Sequence, residues 1–128
     1  MQRGAPLEAQ NCDGMTALHW ACQFAGIIVT PLNWRSKAEE IDYCITDADV
    51  EAVAFDASCA EAIGRCRELG ERPLIATDDV ATDAAMSFSA LAGDAPPDLI
   101  LRAAAEDWSL MLYTSGTSGR PKGVPRRH

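Results

Sequence analysis

The chain has 128 residues, a hydrophobic share of 48%, a charged share of 23% and a formal net charge of −8. That length suits one compact domain or part of a larger one, and the composition is that of a globular protein with a core of its own. The charge is unevenly spread: residues 1–119 hold 7 basic and 19 acidic side chains, while Arg120, Lys122, Arg126 and Arg127 give the last nine residues +4. An acidic body argues against nonspecific binding to nucleic acid or to an anionic membrane surface. No apolar run approaches the ~20 residues of a membrane span.

Residues 1–15 read as an irregular N-terminus. From residue 16 to residue 77, helical and strand-like segments alternate. Ala17, Leu18, Ala21, Phe24 and Ala25 recur at helical spacing, and Gly26 is placed to end that helix. Ile27-Ile28-Val29-Thr30 is a β-branched run closed by Pro31. Ser36 and Glu39 form a capping-box pattern ahead of Ile41, Cys44, Ile45 and Ala48, which share one face of a predicted helix. Val53-Ala54-Phe55 reads as an apolar strand. Ser58 and Glu61 form a second capping-box pattern, opening a predicted helix that carries Ile63, Cys66 and Leu69 and stops at Gly70. Pro73 to Thr77 reads as a third strand.

Short apolar strands separated by helices predict βαβ units and a parallel sheet, an α/β fold. Residues 78–107 form an acidic, alanine-rich connector with Asp78, Asp79, Asp83, Asp94 and Pro96-Pro97, in which Met86 to Leu91 is a candidate short helix. The last predicted strand, Trp108 to Tyr113, leads into the chain's densest chemical feature, so residues 108–128 are taken as one strand-and-loop segment.

The five cysteines, Cys12, Cys22, Cys44, Cys59 and Cys66, are odd in number and contain no CxxC pair. With no signal peptide they read as reduced thiols of a cytoplasmic protein. Cys22, Cys44 and Cys66 sit at apolar positions and act as small buried hydrophobes. His19 and His128 are too few for a histidine-rich metal site.

The segment Thr114-Ser115-Gly116-Thr117-Ser118-Gly119-Arg120-Pro121-Lys122-Gly123 combines four hydroxyls, three glycines and a lysine. Glycines without Cβ atoms let backbone amides approach an anion, and successive N–H groups then form an anion-binding concavity. The hydroxyls add donors and Lys122 adds a positive charge. It is not a Walker A loop, because the Gly-Lys-Ser/Thr spacing is absent. On composition alone a flexible Gly/Ser turn before an edge strand fits the same residues.

Tyr113 to Gly123 resembles the phosphate-loop signature of the AMP-binding, adenylate-forming superfamily of acyl-CoA and aryl-CoA synthetases, luciferases and peptide-synthetase adenylation domains. Ser118 stands where threonine is more usual. Upstream, Ala25-Gly26-Ile27-Ile28-Val29-Thr30-Pro31-Leu32-Asn33 is similar to the family's helix-to-strand segment, and Ala38-Glu39-Glu40-Ile41 to the helix after it. The resemblance implies that Thr114, Ser115, Gly116, Thr117, Ser118, Gly119 and Lys122 contact the β- and γ-phosphates of magnesium-bound ATP. A carboxylic acid would be activated as its adenylate and passed to CoA. Lys122 does not correspond to the family's catalytic lysine, and no catalytic residue or metal ligand is assigned.

Full-length relatives carry the adenine and acid pockets, a Thr-Glu pair serving magnesium, a ribose-binding aspartate and a mobile C-terminal domain beyond the loop. Asn11 to Met15 resembles a degraded form of the family's preceding segment. The expectation is therefore an N-terminal-region fragment, inactive alone, with self-association through exposed sheet edges. Two alternatives are a noncatalytic module binding a nucleotide or partner, and a piece of a peptide-synthetase adenylation domain. The Pro-Leu-Asn segment leans toward the CoA ligases.

Overall fold

The computed structural model describes residues 17–77, 85–87, 90, 103–114 and 120–128. The chain divides into two compact units. One comprises Met1–Pro31, Asp98–Leu112 and Val124–His128; the other comprises Leu32–Pro97 and Tyr113–Gly123.

In the first unit, helix α1 spans Ala17–Phe24. It ends where the sequence predicts: Gly26 takes φ 74°, the Ile27 amide reaches back to the Cys22 carbonyl at 2.9 Å, and the Gly26 amide reaches Gln23 at 3.1 Å. That pair of bonds satisfies carbonyls the helix leaves open, and its left-handed turn suits glycine. The buried face differs from the predicted stripe. Phe24 is 57% exposed, while His19 and Gln23 are buried. Gln23 Nε2 meets His19 Nε2 at 2.9 Å. An amide nitrogen only donates, so the ring nitrogen accepts and His19 is held neutral; burial pushes its pKa down. Polar side chains that are hydrogen-bonded tolerate burial, which is why apolar spacing alone picks the wrong face.

The β-branched run Ile27–Thr30 contributes a single bridge, from Val29 to Leu110 in the parallel sense. The Val29 amide donates to Ser109 at 3.0 Å, and the Met111 amide donates to Val29 at 2.9 Å.

In the second unit, Asn33 explains the Pro-Leu-Asn segment. Its side-chain oxygen accepts from the Arg35 amide at 2.9 Å and its carbonyl from the Ser36 amide at 2.8 Å, turning the chain toward the next helix. Helix α2, Ala38–Asp47, is capped one residue later than the predicted box: the Lys37 amide donates to Glu40 Oε2 at 2.9 Å. Ile41, Cys44 and Ile45 are its buried residues, as the helical periodicity predicts. Ala48 falls at the C-cap rather than in the helix.

Strands β1 (Val53–Phe55), β2 (Leu74–Ala76) and β3 (Met86–Ser87) form a parallel sheet in that order. Val53 faces Leu74, Phe55 faces Ala76, and Ile75 faces Met86. Ile41, Ile45, Phe55 and Ile63 make the core, packed by Val50, Val53, Cys66, Leu69 and Leu74 among others. The α/β fold with a parallel sheet is thus the observed architecture.

Two predicted helices differ. Met86–Ser87, assigned to a short helix from sequence, is strand β3, whereas Ala90 within the same assignment is helical; the remainder lies outside the described residues. The helix expected from Ser58 to Leu69 is a 3-10 turn over Ala57–Cys59 followed by a short helix α3 over Ala60–Ile63. Asp56, not Ser58, caps it, accepting from the Ser58 amide at 2.9 Å. The early stop has a tertiary cause. Beyond Gly64 the Arg67 and Glu68 amides donate to the Asp42 carboxylate at 2.9–3.0 Å instead of to carbonyls of their own turn. Cys66 therefore packs against the core from a turn, and burial raises its thiol pKa to about 11.

Candidate phosphate-binding hairpin

Strand β4 spans Trp108–Thr114, one residue beyond the predicted run, and pairs with β5 over Lys122–Arg127, where the sequence offered an edge strand only as the alternative reading of a Gly/Ser turn. The His128 amide donates to the Asp107 carbonyl at 3.3 Å, and Ser109 Oγ donates to the Arg126 carbonyl at 3.3 Å. The residue numbers rise along one strand as they fall along the other, so the pairing is antiparallel. Pro125 lies within β5, a placement that fits an edge strand. Its basic, proline-containing sequence lacks the apolar alternation that marks a strand, so periodicity alone does not assign one there.

The hairpin frames the hydroxyl- and glycine-rich segment. Thr114 is the last residue of β4 and Lys122 the first of β5; both are exposed. Ser115, Gly116, Thr117, Ser118 and Gly119 lie outside the described residues. The structure therefore brings the two stem residues of the predicted set onto paired strands.

The basic residues divide by role. Arg127 stacks over the Trp108 ring at 4.9 Å and pairs with Glu106 at 3.2 Å. It holds the far end of the hairpin in the first unit. Arg120 and Lys122 lie in the second unit with Thr114. Of the four cations at this end of the sequence, those two flank the candidate loop.

Tyr113, one residue ahead of Thr114, is fixed by contacts that sequence reasoning missed. Its hydroxyl donates to Asp47 Oδ2 at 2.7 Å, and its ring meets the Tyr43 ring edge-on at 6.3 Å between centroids. Tyr43 makes a longer contact of 3.4 Å to the other oxygen of the same carboxylate. Burial first, then the Asp47 carboxylate, pushes the Tyr113 phenol pKa upward, so it remains a neutral donor. No local signal links residues 66 positions apart.

Among the described residues, no group of three or more His, Cys, Asp or Glu side chains could hold a metal ion. None of their helices is long and apolar enough to cross a membrane.

A chain that carries both a parallel sheet with packed helices and a two-stranded hairpin with Thr114 and Lys122 on its strands is of the α/β class, and comparison with known proteins gives the family. The model of the AMP-binding enzyme family matches residues 7–128. The chain belongs to that family. It is 31% identical over 104 residues to the long-chain-fatty-acid–CoA ligase FadD13 of Mycobacterium tuberculosis, an alignment covering 80% of this chain and 20% of that protein. It is 32% identical over 109 residues to a feruloyl-CoA synthase of Amycolatopsis sp, covering 85% and 20%. Among solved structures it is similar to the anthranilate CoA ligase AuaEII in complex with anthranoyl-AMP, with a TM-score of 0.66, 25% identity, and coverage of 80% of this chain and 20% of that one. The chain thus spans about a fifth of the length of the curated relatives it matches.

Proposed function

We propose that this chain supplies the phosphate-binding hairpin of an ATP-dependent ligase that joins a carboxylic acid to CoA. The observation that carries the reading is the placement of Thr114 and Lys122 on the two stems of a strand hairpin, around a segment matching the family's signature. Thr114, Ser115, Gly116, Thr117, Ser118, Gly119 and Lys122 are the residues that would hold the β- and γ-phosphates of ATP. Magnesium would arrive with those phosphates, and no described residue of this chain is assigned to it.

In the reaction, a carboxylate oxygen attacks the α-phosphorus and the bond to the β-phosphate oxygen breaks. Pyrophosphate leaves with the bonding pair, and the acyl-adenylate remains. The CoA thiol then displaces AMP from the acyl carbon, losing its proton. Donors and a cation aimed at the departing oxygens stabilise charge that develops there, the largest electrostatic contribution a loop of this kind makes. The relatives' names, a fatty-acid ligase and a feruloyl ligase, support an acid–CoA ligase reading.

The test is a titration of the chain with magnesium-ATP, tripolyphosphate and AMP. Tripolyphosphate is expected to compete with ATP while AMP does not, and Lys122→Ala is expected to weaken tripolyphosphate binding about three- to tenfold, the effect of losing a charge-assisted contact. Equal competition by AMP, or an unchanged Lys122→Ala variant, would overturn the assignment. With a fifth of its relatives' length, the 128-residue polypeptide is expected to show no ATP–pyrophosphate exchange above background. Exchange with any carboxylic acid would sink that expectation.

A further inference from the structure

A loop of small residues with two glycines loses much conformational freedom when it closes on an anion, and a stem held in place beforehand reduces that loss. Tyr113 is the stem residue with a built anchor. Its hydroxyl makes a 2.7 Å bond to the Asp47 carboxylate, in the short range of charge-assisted O–H···O bonds. Asp47 closes helix α2, whose Ile41, Cys44 and Ile45 are buried, so the acceptor stands on a helix fixed by the core. Its position also argues against a role in the helix itself. A carboxylate at the last residue of a helix faces the negative end of the helix dipole, which disfavours it there.

We propose that Asp47 is a positioning residue for the phosphate loop, acting through the Tyr113 hydroxyl to fix the strand end from which Thr114 and the loop depart. The ligand consequence rests on the reading of the loop as a phosphate site; the anchoring does not. Tyr113 presents its hydroxyl to α2 while the chain continues directly into Thr114, so a change at Asp47 is transmitted to the loop across one side chain and one peptide unit. Tyr43, edge-on to Tyr113, holds the ring and leaves the hydroxyl as the separable part of the contact.

The experiment uses the full chain and four variants: Tyr113→Phe, which keeps the ring; Asp47→Ala; Asp47→Asn, which keeps an acceptor; and the Tyr113→Phe/Asp47→Ala double. Two readouts are taken, amide hydrogen exchange of the peptide covering residues 114–123 without ligand, and tripolyphosphate affinity. Tyr113→Phe and Asp47→Ala are each expected to speed exchange in that peptide and to weaken tripolyphosphate about three- to tenfold, with Asp47→Asn close to the parent. The double variant is expected to be no worse than the worse single one, the signature of one shared bond. Exchange in α2 itself should stay unchanged. Unchanged exchange of residues 114–123 in Tyr113→Phe, or additive losses in the double variant, would overturn the anchor. If the parent chain fails to bind tripolyphosphate while the variants still loosen the loop, the phosphate reading fails and the anchor stands. If Asp47→Ala unfolds the chain, Tyr113→Phe decides alone.

Discussion

The two units use their helices in opposite ways. Helix α2 turns Ile41, Cys44 and Ile45 inward and shares a core with Phe55 and Ile63. Helix α1 buries a hydrogen-bonded His19–Gln23 pair and leaves Trp20 and Phe24, also four residues apart, largely exposed. Ile27 and Ile28 are half exposed as well. The second unit thus carries a hydrophobic driving force within its described residues, whereas the described part of the first is organised by backbone pairing around Val29, Ser109 and Met111. Local sheet burial and ladder bonding are separate sources of order, and they respond to different substitutions.

The strongest way to break that comparison is at Ile45, 2% exposed and the largest fully buried side chain among the described residues. Ile45→Ala removes packed methylenes and leaves a cavity, and is expected to cost about 2–5 kcal/mol of unfolding free energy in urea denaturation. Amide exchange should rise in α2, β1 and β2 and leave Val29 and Met111 unchanged. Loss of protection at Val29 and Met111 to the same extent would show one cooperative block and end the distinction.

A smaller effect is expected at Asp42, whose carboxylate takes the Arg67 and Glu68 amides. Asp42→Ala leaves those donors without that acceptor and is expected to cost about 1–3 kcal/mol, with Asp42→Asn in between. Raised exchange at Arg67 and Glu68 is the local check. An Asp42→Ala variant as stable as the parent would mean that the turn, not the carboxylate, sets the length of α3.

These residues also show what could be read from the sequence. The apolar face of α2, strands β1 and β2 and the Gly26 stop are all local patterns, and each sits where its spacing or composition places it. The misassigned elements share one cause, a partner outside the segment, whereas the buried face of α1 was misread because of a local polar pair. Ser58 to Leu69 has a helical pattern, but Asp42 takes the amides that would extend it. Met86–Ser87 is made a strand by pairing with β2, and Lys122–Arg127 by pairing with β4. The composition of the candidate site was legible because phosphate chemistry needs those residue types close together. The Tyr113–Asp47 bond was not, because neither residue carries a local sign of the other.

The smallest expected effect tests how finely the second unit is tuned at the C-terminus of α2. The chain leaves that helix through Asp49 at φ 48°, the one described non-glycine residue in the left-handed region. The Val50 amide reaches the Ile45 carbonyl at 3.0 Å, and the Asp49 amide contacts Thr46 at 3.4 Å, the same closure that Gly26 makes for α1. One helix uses glycine at this turn and the other pays a Cβ penalty, moderated because aspartate tolerates the conformation better than most residues. Asp49→Gly relieves that penalty but adds freedom to the unfolded chain, so the net gain is expected to stay below about 1 kcal/mol. Asp49→Val, with a branched Cβ, should lose about 1–2 kcal/mol relative to the parent. Both are read as shifts in the urea midpoint at constant slope. A valine variant as stable as the parent would show that the turn after α2 relaxes out of the left-handed region, and the likeness between the two helix ends would then be lost.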